Sequence, residues 1–254
     1  MIFLFILFVK METFSILVNL SRGFQNYRHM TDLCLIHSLL NNNNIITYFQ
    51  GDIYQDKRNI FPGKIFLNNQ DTLKYNLFKD VQLKYTVSCD SSLNDILNGL
   101  QGNIPEMKYM KYSDNIFIYI CGHGCEGAMK VFNKDWLTKE ELMRSIRILK
   151  KRVSKIFLVL DTCEAESIIS RDTNDVFILT TSQFKEPSLS KGKNNLLGVH
   201  TVDEFPFYFS KVVREQRDRD ISLDEICKEL EKCKFSSTLT WTKNKTFKLK
   251  DFFH

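Results

Sequence analysis

The chain has few of the residues that interrupt regular structure, with 4 prolines and 10 glycines among 254 residues. This scarcity excludes collagen-like and low-complexity chains, which are rich in both. Neither an internal repeat nor a low-complexity linker is present. Hydrophobic residues make up 43% of the chain and charged residues 26%, as in an ordinary soluble globular protein. At this length we expect a single α/β domain with a sizeable core.

The chain also lacks a strong charge of one sign, because its formal net charge is only +5. Basic residues are scattered, with small groups at residues 150–152 and 243–250. They do not alternate with aromatic residues as they do on surfaces that bind nucleic acid. We therefore expect these charges to be solvated surface and predict no nucleic-acid partner.

Zinc-type cysteine spacing is absent, although the chain has 7 cysteines. Cys121 and Cys125 flank His123, which raises the alternative of a metal cluster. However, no second pair has matching spacing, and Cys121 should point into the core from a strand. Cys227 and Cys233 could pair only if the late helix breaks between them. We predict no bound metal and no other cofactor.

No hydrophobic run is long enough to cross a bilayer as a helix. Residues 1–9 are continuously apolar and match the core of a signal peptide in length, but they lack a basic start and a small-residue cleavage site. We interpret residues 1–13 as a minimal or uncleaved signal-like lead. An additional hydrophobic tail or a misassigned start codon is the alternative. Residues 14–254 then form the single domain.

Strand and helix patterns alternate along this domain, which predicts a mostly parallel central sheet with helices on both faces. Capping boxes at Thr138 with Glu141 and at Ser222 with Glu225 mark the starts of two helices. A short hairpin arm is predicted at residues 129–132, and residues 51–80 and 183–197 should be long loops. The predicted helices cover residues 27–40, 91–100, 138–149, 202–215 and 222–233. The predicted strands cover residues 14–20, 45–50, 82–87, 115–120, 155–160, 176–180 and 247–253.

Two of these strands, in the stretches at residues 115–124 and 155–164, end in residues that suit acyl transfer. The first leads into His123 between two glycines, and the second leads into Cys163. Because ligands bind outside the carboxyl ends of parallel strands, two neighbouring strands would place both residues on one rim. A helix-type segment separates the two stretches, as a parallel crossover connection requires.

Cysteine attacks as a thiolate, and histidine can take its proton and return it to a leaving amine. The glycines beside His123 let a substrate backbone approach and leave peptide N–H groups free to face an oxyanion. A helix starting after Cys163 would favour the thiolate through its dipole. The alternative is a structural histidine and a cysteine that acts as a small hydrophobic residue. Their pairing at two strand ends supports the catalytic hypothesis, and both interpretations stay open at this point.

Further stretches carry a resemblance to a known family. They are Ser21-Arg22, Asn26-Tyr27-Arg28-His29, Gly122-His123-Gly124, Asp161-Thr162-Cys163, Ala165-Glu166-Ser167, Ser182-Gln183, Ser188-Leu189-Ser190, Gly198-Val199-His200, Asp203, Phe207-Tyr208 and Asp251-Phe252-Phe253. With these residues the chain resembles the legumain-like cysteine peptidases of caspase-type fold. Within them it is most similar to the catalytic subunits of glycosylphosphatidylinositol (GPI) transamidase. The resemblance covers residues 14–253 and implies a caspase-haemoglobinase-like three-layer sandwich.

The resemblance also implies the roles of individual residues. Cys163 would be the nucleophile that forms a thioester, and His123 the general acid and base. Asn26 would orient the histidine, although an asparagine there could equally be a helix N-cap. The Gly124 backbone would contribute to the oxyanion hole, and Ser182 would line the substrate pocket. His29, His37 and His200 are expected to be packing or surface residues.

Three positions depart from the family pattern. Gln82 and Lys84 stand where the family has acidic calcium ligands, and because a lysine opposes a hard cation we expect no calcium there. Gln55 stands near the cysteine that links the family's subunit to a partner, so that disulfide should be missing. The acidic pair of the pocket loop is reduced to Glu186 before Pro187, which leaves the substrate preference open.

The resemblance implies a GPI transamidase subunit that works with other subunits of its complex, precursor proteins carrying a C-terminal signal, and a GPI lipid. A legumain-like endopeptidase and an inactive complex subunit are the alternatives. The implied location is the lumenal side of the endoplasmic reticulum, where partners rather than a membrane span of the chain would hold it. Asn19 and Asn244 begin glycosylation sequons, of which Asn19 should be buried and only Asn244 available.

Overall fold

A computed structural model describes residues 11–41, 44–67, 76–83, 91–171 and 175–253, without the side chains of residues 80, 82 and 83. Its centre is a six-stranded sheet in the order β2-β1-β3-β7-β8-β9, and a second sheet has the order β4-β5-β6. The first five strands of the central sheet are parallel, and β9 is antiparallel to β8. The strands are β1 Thr13–Asn19, β2 Asn44–Tyr48, β3 Asn115–Cys121, β4 Gly124–Cys125, β5 Ala128–Val131, β6 Asp135–Thr138, β7 Lys155–Asp161, β8 Val176–Thr180 and β9 Thr240–Trp241.

Helices cover both faces of the central sheet and divide the core in two. They are α1 Tyr27–His37, α2 Phe78–Leu83, α3 Leu93–Leu100, α4 Lys139–Lys150, α5 Glu204–Gln216 and α6 Leu223–Glu231. Alternate residues of β3 separate the layers: Phe117 packs with α1, α2, α5 and α6, whereas Ile116 and Ile118 pack with α3 and α4. The predicted three-layer α/β architecture is therefore confirmed.

The two predicted capping boxes are present. The Thr138 hydroxyl accepts from the Glu141 N–H at the start of α4, and Ser222 makes the same bond with Glu225 at the start of α6. Each glutamate side chain reaches back to its cap, so both ends of the reciprocal motif are satisfied. Local chemistry therefore sets where these helices begin. α5 tolerates Pro206 because it lies in the first turn.

The predicted strand at residues 247–253 is wrong. The chain instead forms a 3-10 helix over Leu249–Asp251, and Phe252 and Phe253 are both buried in the core. A half-buried strand would turn consecutive side chains to opposite faces, whereas both of these rings pack beside Phe157 and Phe117. Aromatic packing therefore decides the local conformation. At this end of the central sheet the edge strand is β9, beside β8.

The predicted strand at residues 82–87 is also wrong at its start, because α2 continues to Leu83. Asn76 accepts a hydrogen bond from the Phe78 N–H as that helix begins. Residues 84–87 lie outside the described residues. The hairpin arm predicted at residues 129–132 is confirmed as β5, which pairs with both β4 and β6.

No α-helix within the described ranges has both the length and the apolar character needed to cross a membrane. Residues 1–10, most of the predicted signal-like lead, lie outside the described residues.

Candidate active site

The central pair of strands places His123 and Cys163 at corresponding positions. Cys121 of β3 is the register partner of Asp161 of β7, and each site residue follows two positions later. The Gly122 N–H donates to the Asp161 carbonyl at 3.3 Å, which continues the pairing beyond the strand ends. The two residues thus leave the same edge of the sheet side by side, as the sequence predicted.

The loops that carry them touch at Gly124. A Cβ atom at this position would lie 2.6 Å from the Cys163 carbonyl oxygen and closer still to Thr162 Oγ1. Real Cβ atoms do not approach backbone this closely, so only glycine fits between the histidine loop and the cysteine turn. The main chain around Gly124 therefore lies directly against the candidate nucleophile.

Asn26 lies beside the His123 ring, with its Oδ1 2.8 Å from Nε2. It occupies the N-cap position of α1, but its side chain makes no capping hydrogen bond. Its Nδ2 instead donates to the Arg22 carbonyl at 2.8 Å, which leaves Oδ1 to accept from the ring. This assignment puts the proton of neutral His123 on Nε2 and leaves Nδ1 as the basic nitrogen.

The surroundings of His123 keep the imidazole neutral. Loss of hydration lowers the pKa of His123 to about 4, and the nearby His29 and the charge of Arg28 act in the same direction. The two histidine rings meet edge to face, with centroids 5.2 Å apart. His123 is nevertheless open to solvent. At neutral pH it is therefore a proton acceptor that a substrate can reach.

Behind this histidine lies a buried ionic group whose residues belong to the stretches that carry the family resemblance, although the sequence predicted no contact between them. Arg28 Nε is 3.0 Å from Asp203 Oδ1, and His29 Nε2 is 3.3 Å from Asp203 Oδ2. Burial opposes ionisation of Asp203, but its hydrogen bond and charge contacts with His29, followed by the charge of Arg28, outweigh burial and lower its pKa. His29 is buried, as expected, and accepts or donates a 2.7 Å bond with Ser21 through Nδ1.

Cys163 is partly exposed on a tight turn. Glu164 has a left-handed backbone with φ of 53°, and a four-residue 3-10 helix, Ala165–Ile168, follows. The sequence predicted a helix here whose dipole would favour the thiolate. A single 3-10 turn aligns too few peptide groups to supply that field.

Ser182 is fully buried behind this turn. Its hydroxyl donates to the Thr162 carbonyl at 2.7 Å and accepts from the Ala165 N–H at 3.0 Å. These two bonds span Cys163 and hold the turn in shape. The predicted contribution of Ser182 to the substrate pocket stays a prediction, as do the roles of Cys163, His123, Asn26 and Gly124.

No cluster of three or more His, Cys, Asp and Glu side chains that could hold a metal occurs among the described residues. Cys121 is buried, and its thiol donates to the His29 carbonyl at 3.6 Å, so it points into the core as predicted.

His37 is buried, and His200 is exposed. The side chain of Gln82 and all of Lys84 lie outside the description, so the calcium prediction stays open, as does the one about a partner disulfide near Gln55.

Comparisons with known proteins agree with this architecture. The chain is similar to the GPI-anchor transamidase of Saccharomyces cerevisiae, with 26% identity over 224 residues that cover 84% of this chain and 54% of that protein. It is 27% identical over 219 residues to the Homo sapiens GPI-anchor transamidase, which covers 80% of this chain and 55% of that protein. The chain thus spans about half the length of the curated relatives it matches.

A solved structure shares the fold. Caspase-1 from Spodoptera frugiperda aligns with a TM-score of 0.54 and 11% sequence identity, over 94% of this chain and 91% of that chain. The sequence profile described as the Peptidase C13 family matches residues 13–237, which include every residue of the candidate site. The chain is therefore a member of the Peptidase C13 family.

Proposed function

We propose that the chain is the catalytic part of a GPI transamidase. In this reaction the chain cleaves the C-terminal attachment signal from a precursor protein and joins the new carboxyl end to the ethanolamine amine of a GPI lipid. Curated relatives that match most of the chain carry the name GPI-anchor transamidase, and the matched region contains the candidate site. Membership of a peptidase family supports the cysteine chemistry.

The first half-reaction forms a thioester. Nδ1 of His123 accepts the proton of the Cys163 thiol, and Sγ attacks the carbonyl carbon of the scissile amide. The Gly124 backbone N–H faces the developing oxyanion. As the C–N bond breaks, the proton on His123 passes to the leaving nitrogen, and the signal peptide departs as an amine.

The second half-reaction releases the product. The ethanolamine amine attacks the thioester carbon and His123 accepts a proton from that amine. As the C–S bond breaks, His123 returns this proton to Sγ and regenerates the Cys163 thiol. Water in place of the amine would give hydrolysis, the outcome expected of a legumain-like endopeptidase. Exclusion of water and delivery of the lipid by partner subunits would therefore decide the product.

The observation that carries this proposal is the 2.8 Å contact between Asn26 and His123, beside a Cys163 turn that the Gly124 loop touches. Asn26 stands at a helix N-cap, but its side chain contacts the His123 imidazole instead of capping the helix. This arrangement favours a catalytic subunit over an inactive one. Ser182 supports the same turn from behind. We propose that it shapes the substrate pocket through that support.

We further propose that the chain acts on the lumenal side of the endoplasmic reticulum. Its partners would be the other subunits of a transamidase complex, precursor proteins and the GPI lipid. Contacts with those subunits, without a disulfide at Gln55, would hold the chain at the membrane.

Rescue of GPI anchoring in cells that lack their own catalytic subunit tests the function. The readout is the surface level of a GPI-anchored reporter, measured by flow cytometry. The wild-type chain should restore anchoring, whereas Cys163→Ala and His123→Ala should not. Cys233→Ala is the matched control, because it makes the same substitution away from the rim and should restore anchoring.

Two results would overturn the proposal. One is full rescue by a folded Cys163→Ala or His123→Ala chain. The other is a wild-type chain that is folded, present in the reticulum and unable to anchor the reporter. If that chain also cleaved peptides, the endopeptidase function would replace the transamidase.

A further inference from the structure

The loop at residues 183–190 closes over the Cys163 turn and brings the main chain of Ser188 to the sulfur. The Ser188 N–H donates to Cys163 Sγ at 3.4 Å. The Cys163 thiol can in turn donate to the Ser188 carbonyl at 3.9 Å. The first bond suits a thiolate, which only accepts, and the second suits a thiol. One residue therefore meets the sulfur in both of its protonation states.

The side chain of Ser188 is tied to the interior of the sheet. Its hydroxyl is 3.4 Å from Asp161 Oδ1, and the Tyr119 hydroxyl donates to Asp161 Oδ2 at 2.7 Å. Tyr119 and Asp161 belong to β3 and β7, the two central strands, and both are buried. The two central strands therefore fix the position of the Ser188 N–H. The same strands lead into the two candidate catalytic residues.

The rest of the loop is held by its neighbours. The Glu186 carbonyl accepts from the Glu164 N–H at 2.9 Å, next to the candidate nucleophile. The Glu186 carboxylate accepts from the Gln183 N–H and from the N–H and hydroxyl of Thr238. This carboxylate therefore supports the loop. Pro187 follows it and restricts the backbone just before Ser188.

We propose that Ser188 is the positioning residue of Cys163, whose main-chain N–H holds Sγ as a thiolate while its hydroxyl is fixed by Asp161. The inference rests on the proposed role of Cys163 as nucleophile. The Ser188 N–H can stabilise a thiolate at a position where a helix dipole cannot, because no α-helix starts directly after Cys163. His123 is neutral at pH 7, so its ring brings no positive charge to the sulfur either.

Alkylation of Cys163 by iodoacetamide tests this inference without any substrate. The rate is followed from pH 5 to pH 10 on the purified full chain, and peptide mass spectrometry separates Cys163 from the other cysteines. Burial and Asp203 raise the pKa of Asp161 to about 7, so this carboxyl titrates within the range, and each variant is compared with wild type at the same pH. Ser188→Pro removes the N–H, and Ser188→Ala removes the bonds of the hydroxyl with Asp161 and Thr181. Ser190→Ala, the same change two residues along the loop, is the matched control.

We expect the curves of alkylation rate against pH for Ser188→Pro and for wild type to cross. Loss of a hydrogen bond to a charged sulfur should reduce the thiolate fraction at pH 7 about tenfold. The remaining thiolate is more nucleophilic, so the alkylation rate should fall only about threefold at pH 7 and exceed wild type at high pH. Ser188→Ala should move the curve in the same direction by a smaller factor. Ser190→Ala should overlay the wild type.

A merely structural role would lower or raise the rate equally at every pH, and such a result would overturn the inference. Unchanged curves for Ser188→Ala would overturn it as well, including when Ser188→Pro does not fold. The outcome is separate from that of the anchoring rescue. If the alkylation curves cross but anchoring is not rescued, only the proposed function is contradicted. If anchoring is rescued but the alkylation curves do not shift, only this inference is contradicted.

Discussion

Asn26 Oδ1 accepts a hydrogen bond from His123 Nε2 across 97 positions of sequence. The asparagine side chain is committed at both ends, because its Nδ2 donates to the Arg22 carbonyl. The imidazole therefore has one tautomer and one orientation available. No described residue hydrogen-bonds to its Nδ1, and the ring stands on the rim that also carries Cys163.

Asn26→Ala should reduce turnover strongly and change stability little. Without the acceptor, the His123 ring loses its tautomer and orientation, and misplacement of a catalytic group costs about tenfold to hundredfold in rate. Stability should fall by only about 0.5–1 kcal/mol, because the bond to the Arg22 carbonyl is lost but the side chain makes no capping bond. Anchoring of the reporter in the rescue cells and urea unfolding of the purified chain measure the two effects.

Thr138→Ala provides the reverse control, because the Thr138 hydroxyl does cap α4. It should cost about 1 kcal/mol of stability and leave turnover unchanged. An Asn26→Ala chain with normal turnover would show that the asparagine does not orient the histidine.

Gly124→Ala should disable the site through backbone displacement. The added Cβ would collide with the Cys163 carbonyl, so the histidine loop and the cysteine turn must move apart. We expect a loss of about 1–3 kcal/mol in the free energy of unfolding, together with loss of turnover. Urea unfolding followed by circular dichroism and anchoring of the reporter in the rescue cells measure both.

Gly127→Ala is its control, because a Cβ there meets open space and only the positive φ of 72° is strained. It should cost about 1 kcal/mol and spare turnover. Gly124→Ala with wild-type turnover would contradict the close contact between the two loops.

Asp161→Asn should stabilise the fold increasingly as pH rises. Burial and the nearby charge of Asp203 raise the pKa of Asp161 to about 7, so the folded state holds a proton that the unfolded chain has released. This group therefore lowers the free energy of unfolding as pH rises between about 4 and 7. Asparagine cannot ionise and should escape that loss.

The difference between Asp161→Asn and wild type should grow by about 1 kcal/mol per pH unit and level off above pH 7. Urea unfolding at pH 5, 6, 7 and 8 measures it. Asp135→Asn, the same substitution at an exposed residue of β6, controls for the change of side chain itself. A constant difference for Asp161→Asn would mean that the carboxyl is ionised throughout.

Asn244 should carry a glycan when the chain is translocated, whereas Asn19 should not. Asn244 is partly exposed in a polar loop, where its Oδ1 accepts from the N–H and hydroxyl of Thr246. Asn19 is fully buried at the end of β1, as the sequence predicted. A glycosidase-sensitive mass shift that Asn244→Gln removes and Asn19→Gln leaves in place would support lumenal exposure. A full-length chain without any glycan would argue against it.

Much of the fold could be predicted because periodicity and capping are local signals. The central strands are continuous apolar runs, and the boxes at Thr138 and Ser222 mark two helix starts within a few residues. The C-terminal segment could not be predicted in this way. Phe252 and Phe253 adopt their conformation through rings on other strands, which no local pattern records.

The candidate site likewise combines residues that the sequence predicted with contacts that it did not. His123 and Cys163 were recognisable because chemistry-bearing residues follow two apolar strands. The contact of Asn26 with His123 was implied by resemblance, while local preference alone allowed a helix cap. The bond from Ser188 to Cys163 had no signal in the sequence, because it depends on the path of a loop that Glu186 and Thr238 hold from the side.

The paired register of β3 and β7 bears on the order in which parts of the protein unfold. Both strands lie inside the sheet, with β1 and β8 on their outer sides, so their amide protons exchange with solvent only when the whole sheet opens. The loop at residues 183–190 is joined to the rest of the protein by individual hydrogen bonds, such as those of Ser188 with Asp161 and of Glu186 with Thr238, rather than by a continuous strand ladder. On warming, the environment of the sulfur should therefore loosen well before the spacing between His123 and Cys163 is lost, and cooling should restore it without refolding of the sheet.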